Sequence, residues 1–308
     1  MLEQIKTLEG LAGFPSGAFI PTVAVAAGQD EDTILAVHRA VSKKFVKAVL
    51  VGDEEVIKRI VHERELDPDD LPIEHCKTPA EAATKAVSLV RSGEADILMK
   101  GLVRSDDYLK AILNKNTGLL DKGELLSHMA VVGIPQYPRL LLITDAAIIP
   151  LPSLEQKLKM ISYAVQVAAA MGVENPKVAL VSASEAVSPK VASSVETAVL
   201  ATMGHRKQIP HAIVDGPLAL DVALSPEHCT KKGLESEICG DADVLLFPNI
   251  ESANTFYKCC TIFAGAKMAG VVMGTRSPVV LTSRADTEDS KFYSIALAAR
   301  MAIKQREA

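Results

Sequence analysis

The sequence predicts an α/β fold in two domains, and three observations carry that expectation. Its 308 residues exceed what one domain of roughly 100–200 residues usually holds. Short apolar runs alternate with longer helix-patterned stretches almost throughout, which is the spacing of βαβ units. Finally, the chain is 48% hydrophobic but only 4% aromatic and has no Trp. Its core must therefore come from Ala, Val, Ile and Leu, the usual filling of a buried parallel sheet.

The elements follow in chain order. The first ten residues, MLEQIKTLEG, read as an amphipathic helix and lack the basic and apolar regions of a signal peptide. Strand Thr22–Ala27 precedes helix Asp30–Lys44, and strand Lys47–Val51 precedes helix Asp53–Glu65. Helix Pro79–Ser92 leads to strand Asp96–Met99, then to helix Ser105–Asn114. Between Gly123 and Pro150 the alternation breaks. Met129–Ile134 and Leu140–Thr144 are joined only by Pro135–Pro138. Parallel neighbours need a crossover of about a dozen residues, so this pair should be antiparallel, and the region around Gly123 should open a second domain. The alternation then resumes, with helices Ser153–Met171, Pro189–Met203, Asn254–Met268 and Asp289–Lys304. The strands among them are Lys177–Ser182, Ala212–Asp215, Asp243–Phe247 and Pro278–Thr282.

Composition also excludes function classes. With 33 basic against 38 acidic side chains the net charge is -5, which argues against a nucleic-acid partner. No apolar run approaches the ~18–20 residues of a membrane span. The richest, Leu140–Leu151, is cut by Asp145 and Pro150. A cytoplasmic protein is expected. Five cysteines (Cys76, Cys229, Cys239, Cys259, Cys260) include no C-x-x-C, so they are expected to be free thiols, with no metal site.

Several familiar signatures fail. Gly118 and Gly123 have P-loop spacing, but Glu124 stands where the phosphate-binding Lys belongs. No G-x-G-x-x-G follows a strand and no G-x-S-x-G is present. His62-Glu63 has no second His on the same helix face, and Ser127-His128 would point to opposite faces of a strand.

Polar clusters at the C-terminal ends of strands remain, where open α/β sheets bind ligands. Lys100-Gly101 ends one strand, offering a cation beside a glycine that permits close backbone approach. It reads equally as a surface turn. The run from Phe247 to Asn254 leads into a helix beginning near Asn254. Ser252 and Asn254 are either simple N-caps or part of an anion site, and Lys258 one turn later favours the anion site. Asp215 and Asp221 flank a Gly-Pro turn, which is ordinary loop chemistry. The densest cluster, Thr282–Thr287, places Arg284 beside hydroxyls just before the last helix. That suits recognition of a phosphate or carboxylate, against a salt-bridged Arg with a capping Asp.

Six stretches together resemble the phosphate acetyl/butyryl transferase family, most closely its butyryl branch. They are MKGLV from Met99, LSHMAV from Leu126, LLITDAAI from Leu141, DGPLALDVA from Asp215, ADVLLFPNIESANTFYK from Ala242 and LTSRADT from Leu281. The resemblance implies the isocitrate/isopropylmalate-dehydrogenase-like fold, two α/β domains flanking a cleft, usually as a homodimer. The expected domains are residues 1–123 plus 277–308, and residues 124–276. It also implies the reaction acyl-CoA + phosphate ⇌ acyl phosphate + CoA, with CoA as a substrate, no tightly bound cofactor and an acyl kinase as functional partner. The family's catalytic Ser-Arg pair carries onto Ser283 and Arg284. Its proposed thiol base aligns with Ser290, with Asp286, Glu288 and Asp289 close by; Asp286 and Asp289 are the candidates. Lys100, Ser252, Asn254 and Lys258 are the candidate phosphate-binding residues. Where the acetyl branch reads PVNDLSR this chain has Pro278-Val-Val-Leu-Thr-Ser-Arg284, a more apolar run that favours a longer acyl chain. The competing readings are a phosphate acetyltransferase using acetyl-CoA, a metal- and NAD(P)-dependent decarboxylating dehydrogenase of the same fold and a non-catalytic CoA or acyl-phosphate binding protein.

Overall fold

The computed structural model describes residues 4–15, 17–282 and 286–307. The chain forms a mixed α/β protein of two compact units. One comprises Leu8–Leu126 and Met268–Ala308, the other Met1–Thr7 and Ser127–Lys267.

The unit built from both chain ends begins with α1 (Leu8–Leu11), β1 (Thr22–Ala26), α2 (Glu31–Ser42), β2 (Lys47–Gly52) and α3 (Glu54–Glu63). A 3₁₀ turn (Pro68–Asp70), β3 (Ile73–His75), α4 (Pro79–Ser92), β4 (Ile97–Lys100) and α5 (Ser105–Ile112) follow. The middle unit contains β5 (Ser127–Gly133), β6 (Leu140–Thr144), α6 (Leu154–Ala170), β7 (Lys177–Val181), α7 (Ala192–His205) and β8 (Ile213–Leu218). Two short helices, α8 (Leu220–Leu224) and α9 (Pro226–Lys232), precede β9 (Val244–Leu246) and α10 (Ile250–Ala264). The chain then returns to the first unit with β10 (Lys267–Met273), β11 (Val279–Val280) and α11 (Glu288–Glu307).

In the unit of the two ends the strand order is β3-β2-β1-β4-β11-β10. All neighbours are parallel except β10 and β11. The chain winds from β1 outward to β3, and α4 carries it back across to β4 on the other side of β1. The C-terminal ends of β1 and β4 are therefore a topological switch point. In the middle unit the order is β5-β6-β9-β7-β8, with only β5 and β6 antiparallel, paired from Met129↔Thr144 to Gly133↔Leu140. The short Pro135–Pro138 link forces that pairing.

Local chemistry fixes the helix ends. Thr78 with Glu81, and Ser153 with Gln156, close reciprocal capping boxes on α4 and α6. The last helix is buried on nearly every side, from Phe292 through Ala299, so it is a core element of its unit. It carries the buried Lys291, whose Nζ lies 2.8 Å from Oδ2 of Asp30, the N-cap of α2. Arg39 on α2 answers with ion pairs to Asp289 at 2.7 Å and Glu288 at 3.3 Å, its guanidinium 4.0 Å from the Phe292 ring centroid.

Three expectations need correction. Helix α10 stops at Ala264, where Gly265 turns into the left-handed region (φ +61°), so Lys267–Met273 is a strand and not the tail of a helix. The Ala, Gly and Met content of that segment hides its strand character, which comes from pairing with β11. The same helix begins at Ile250, capped by Asn249, so Asn254 lies within it. Cys229 and Cys239, expected as free thiols, form a disulfide with Cα atoms 5.6 Å apart; Cys76, Cys259 and Cys260 are free. Ten positions separate the pair, and α9 turning back through Gly233 brings them together.

Burial alone would push the Asp30 carboxyl up, but the hydrogen bond and charge of Lys291, with donors from Thr33, hold it below the usual carboxylate range. The unfolded chain then binds the proton more readily than the folded one. This stabilisation is complete above about pH 4 and is lost as pH falls through the lowered folded value. Lys291→Met should destabilise by about 3 kcal/mol, the lower part of the range for breaking a buried pair, since Asp30 keeps some contact with water. Urea unfolding from pH 3 to 7 should show a shallower acid limb in the variant; an unchanged slope would remove this pair from the acid sensitivity.

Candidate functional site

In the unit of the two ends, the parallel strands β1, β4 and β11 deliver their C-terminal ends to one edge. Val279 and Val280 are in register with Leu98 and Met99, so Lys100 and Leu281 follow the ends of neighbouring parallel strands. Lys100 is only 3% exposed, and its Nζ lies 3.3 Å from the Gly101 carbonyl. A buried ammonium at a strand end is a concentrated positive charge, not the surface lysine of an ordinary turn. Gly101 makes this geometry possible. A Cβ there would lie 2.3 Å from the Ala27 carbonyl oxygen, and its N–H donates to Ala26 O at 2.8 Å.

Ser283 and Arg284 lie outside the described residues. Their flanks are described. Thr282 is buried, Asp286 is half-buried, and the Ser290 N–H donates to Thr287 Oγ1 at 3.3 Å as α11 begins. Asp289 points its carboxylate at Arg39. That hydrogen bond, with the charges of Asp289 and Glu288, raises the guanidinium's pKa further. Asp289 is thus committed to holding α11 against α2.

In the middle unit, β6, β9 and β7 likewise end together. Asp145, just past β6, is 2% exposed and surrounded by donors. Its Oδ2 accepts from Ser127 Oγ at 3.1 Å and His128 N–H at 2.9 Å; its Oδ1 accepts from Ala147 and Ile148 N–H at 2.8 and 2.9 Å. Four hydrogen bonds make a buried carboxylate tolerable. In the sequence Asp145 stood out only as an interruption of an apolar run. Asn254 belongs to the same construction, its Nδ2 donating to Ala146 O at 2.9 Å. The Ser252 N–H is taken by Asn249 Oδ1 at 2.9 Å, and its hydroxyl donates to Asn249 O. Lys258 is exposed, with Nζ 5.1 Å from the Tyr257 ring centroid.

The structure therefore places Lys100, Asp286 and Asp289 in the unit of the two ends, and Ser252, Asn254 and Lys258 in the middle unit. The carboxylates of DGPLALD are engaged locally. Asp215 accepts from Ser236 Oγ, while Asp221 is 3.0 Å from Lys232, whose hydrogen bond lowers its pKa. A polar cleft lined by Arg139, Lys177, Asp241 and Asp243 lies at the opposite, N-terminal edge of the middle unit's strands, and those charges pair with one another. Among the described residues no cluster of three His, Cys, Asp or Glu is placed to hold a metal ion, and no helix is long and apolar enough to cross a membrane.

Gly101→Ala should cost about 1–3 kcal/mol, because the new methyl meets backbone and not a flexible side chain. It should also depress turnover by displacing Lys100. Denaturant midpoints and kcat measured on one preparation test this; wild-type values for both would show that the close approach relaxes freely.

Comparison with known proteins gives these arrangements a context. A family model described as "Phosphate acetyl/butaryl transferase" matches residues 74–299. The phosphate butyryltransferase of Clostridium acetobutylicum is 45% identical over 280 residues, 91% of this chain and 93% of that protein. A phosphate acetyltransferase of Thermotoga maritima is 46% identical over 277 residues, 90% of this chain and 94% of that protein. The crystal structure of a branched-chain phosphotransacylase from Enterococcus faecalis superposes with a TM-score of 0.81 at 35% identity, covering 92% of this chain and 99% of that one. With the model spanning most of its length and relatives matched nearly end to end, this chain belongs to the phosphate acetyl/butyryl transferase family.

Proposed function

We propose that this protein is an acyltransferase catalysing acyl-CoA + phosphate ⇌ acyl phosphate + CoA. The observation that carries this reading is the near-full-length identity of 45% with a phosphate butyryltransferase. The reaction joins a thiol to an acyl phosphate in one ternary complex, with no redox step and no covalent enzyme intermediate. The isocitrate/isopropylmalate-dehydrogenase-like fold, a cytoplasmic setting and an acyl kinase that consumes the acyl phosphate belong to the same reading. So does a homodimer, for which the exposed Val191, Val195 and Val199 offer an apolar stripe at i, i+4, i+8 along α7.

The residue roles follow from charge. Arg284 presents a planar fork to the phosphate oxygens, and Ser283 adds a neutral donor to the same charge. Lys100 supplies a second, desolvated cation at the neighbouring strand end. Asp286 is the proposed proton acceptor for the CoA thiol, with Asp289 held in the ion pair with Arg39. Ser252, Asn254 and Lys258, in the first turns of α10, are the proposed anion-binding residues of the middle unit.

Relatives of nearly the same identity, 45% and 46%, carry butyryl and acetyl names. The preference for a longer acyl chain therefore rests on the apolar run before Ser283. Val280 is fully buried within the sheet, which leaves the half-buried Leu281 as its contact. Each methylene buried is worth ~0.8 kcal/mol.

A coupled assay of CoA release from butyryl-CoA, run in EDTA without nicotinamide, should show turnover, with kcat/KM several-fold above that for acetyl-CoA. Activity requiring NAD(P) and a divalent ion would favour the dehydrogenase, and binding without turnover a sensor. Arg284→Lys should lower kcat by about 10²–10³ with the fold intact, the usual cost of removing one preorganised donor; Ser283→Ala should lose less. At least half the wild-type kcat in Arg284→Lys, with melting unchanged, would move the catalytic charge to Lys100 or Lys258.

A further inference from the structure

Cys229 lies in α9 and its partner Cys239 ten positions later, with Cα atoms 5.6 Å apart, the usual separation for a bridge. The two differ in access. Cys229 is 1% exposed, whereas Cys239 is half-buried. Both sulfurs lie 3.5 Å from one oxygen, the Leu234 carbonyl. A bridged sulfur has no hydrogen to donate, so this carbonyl serves the open state, in which each thiol finds an acceptor there. The ends of the segment are also held together without the bond. Gly240 is left-handed (φ +75°) and so close to Pro226 that a Cβ would lie 2.1 Å from the proline nitrogen. Its N–H donates to Val222 O at 2.7 Å, and Ile238 is fully buried. Opening the bridge therefore leaves the two sulfurs adjacent and the backbone anchored.

We propose that Cys229–Cys239 is an exchangeable disulfide, a modification site at which a small-molecule thiol attacks Cys239 in the folded protein. The attacking thiolate bonds to Cys239 Sγ, the Cys229–Cys239 bond breaks, and Cys229 leaves as the thiolate, taking up the proton that the small thiol gave up. One disulfide is lost and one formed, so no oxidant or reductant is needed. Attack falls on Cys239 because Cys229 is enclosed. The modified segment is tied to its surroundings by polar contacts: Ser236 Oγ donates to Asp215 of β8, and Lys232 pairs with Asp221 of α8 at 3.0 Å and with Glu185 after β7 at 3.1 Å. An adduct on Cys239 thus loads the part of the middle unit that leans on β8 and α8. In the reaction proposed above CoA is itself such a thiol, and the proposal rests on that reading only for this one source.

The test holds the wild-type protein without oxygen at about pH 8, near the pKa of an ordinary thiol, with millimolar CoA or glutathione, then quenches in acid and weighs the intact chain. The product should gain the mass of one thiol, on the peptide that contains Cys239, and a dithiol should remove it. Cys239→Ser and Cys229→Ser should each gain nothing, because a reduced thiol cannot join a lone cysteine without an oxidant. An adduct with CoA alone names the thiol of the proposed reaction as the source, and equal yields name small thiols in general. Opened by a dithiol, the protein should keep a cooperative melting transition roughly 5–10 °C lower, the effect of releasing a loop of this length. A bridge that neither thiol opens until the chain is unfolded, an adduct on Cys229, or loss of cooperative melting on opening would each overturn the proposal. Turnover is not a readout here, so failure of the acyl-transfer reading would leave the exchange result standing.

Discussion

The unit that carries the candidate site depends on a strand of two residues. Val279 is paired on one side with Leu98 of β4 and on the other with Val272 of β10. A chain that began the sheet at β1 thus completes it more than two hundred residues later. Two residues give little ladder, and the surroundings supply the remainder. The Leu98 N–H donates to Pro278 O at 3.1 Å, the Arg276 N–H to Leu119 O at 3.1 Å, and Arg276 pairs with Asp121 at 2.6 Å. Beyond the strand, α11 is fastened to α2 through Lys291 and Arg39. Arg300 then reaches back to the Gly10 and Leu11 carbonyls. Each contact is modest alone. Together they fix both ends of a segment whose own secondary structure could not hold it.

This explains which parts of the fold were legible in the sequence. Parallel strands buried on both faces announce themselves as apolar runs, and Thr22–Ala26, Lys47–Gly52 and Lys177–Val181 were readable for that reason. The β5-β6 hairpin was legible from a link too short for any other connection. The strand Lys267–Met273 was not, because its Ala, Gly and Met residues fit a helix as well as a sheet. Only the pairing with β11, Val272 against Val279, decides between them. The cap of α10 was misplaced by five residues for a related reason: Asn249, Ser252 and Asn254 are all capping types, and only the fold selects Asn249.

Site residues divide along the same line. Lys100 and Gly101 could be singled out because a strand end marks them. Asp145 could not, since an aspartate inside an apolar run looks like an interruption until four donors are seen around it. Asp289 shows what sequence proximity to a motif leaves out: its ion-pair partner, Arg39, lies 250 residues away. Sequence proximity locates chemistry, but ion pairing decides which charges are already committed.

Magnitudes indicate why a fold would invest so many long-range contacts in one short segment. In the proposed reaction the CoA thiol has a pKa of about 8.5, so forming the thiolate at pH 7 costs about 2 kcal/mol. Holding thiol and acyl phosphate in a reactive arrangement is worth up to ~7–11 kcal/mol. Placement therefore outweighs basicity. A nearby carboxylate, for which Asp286 is the proposed residue, then suffices as proton acceptor. What is required is that the cations facing the phosphate stay where they are. In the proposed reading, a buried Lys100 at the end of β4, beside β11 in register, is suited to that requirement. In this reading the chemistry depends less on any single reactive side chain than on the sheet edge that carries Lys100.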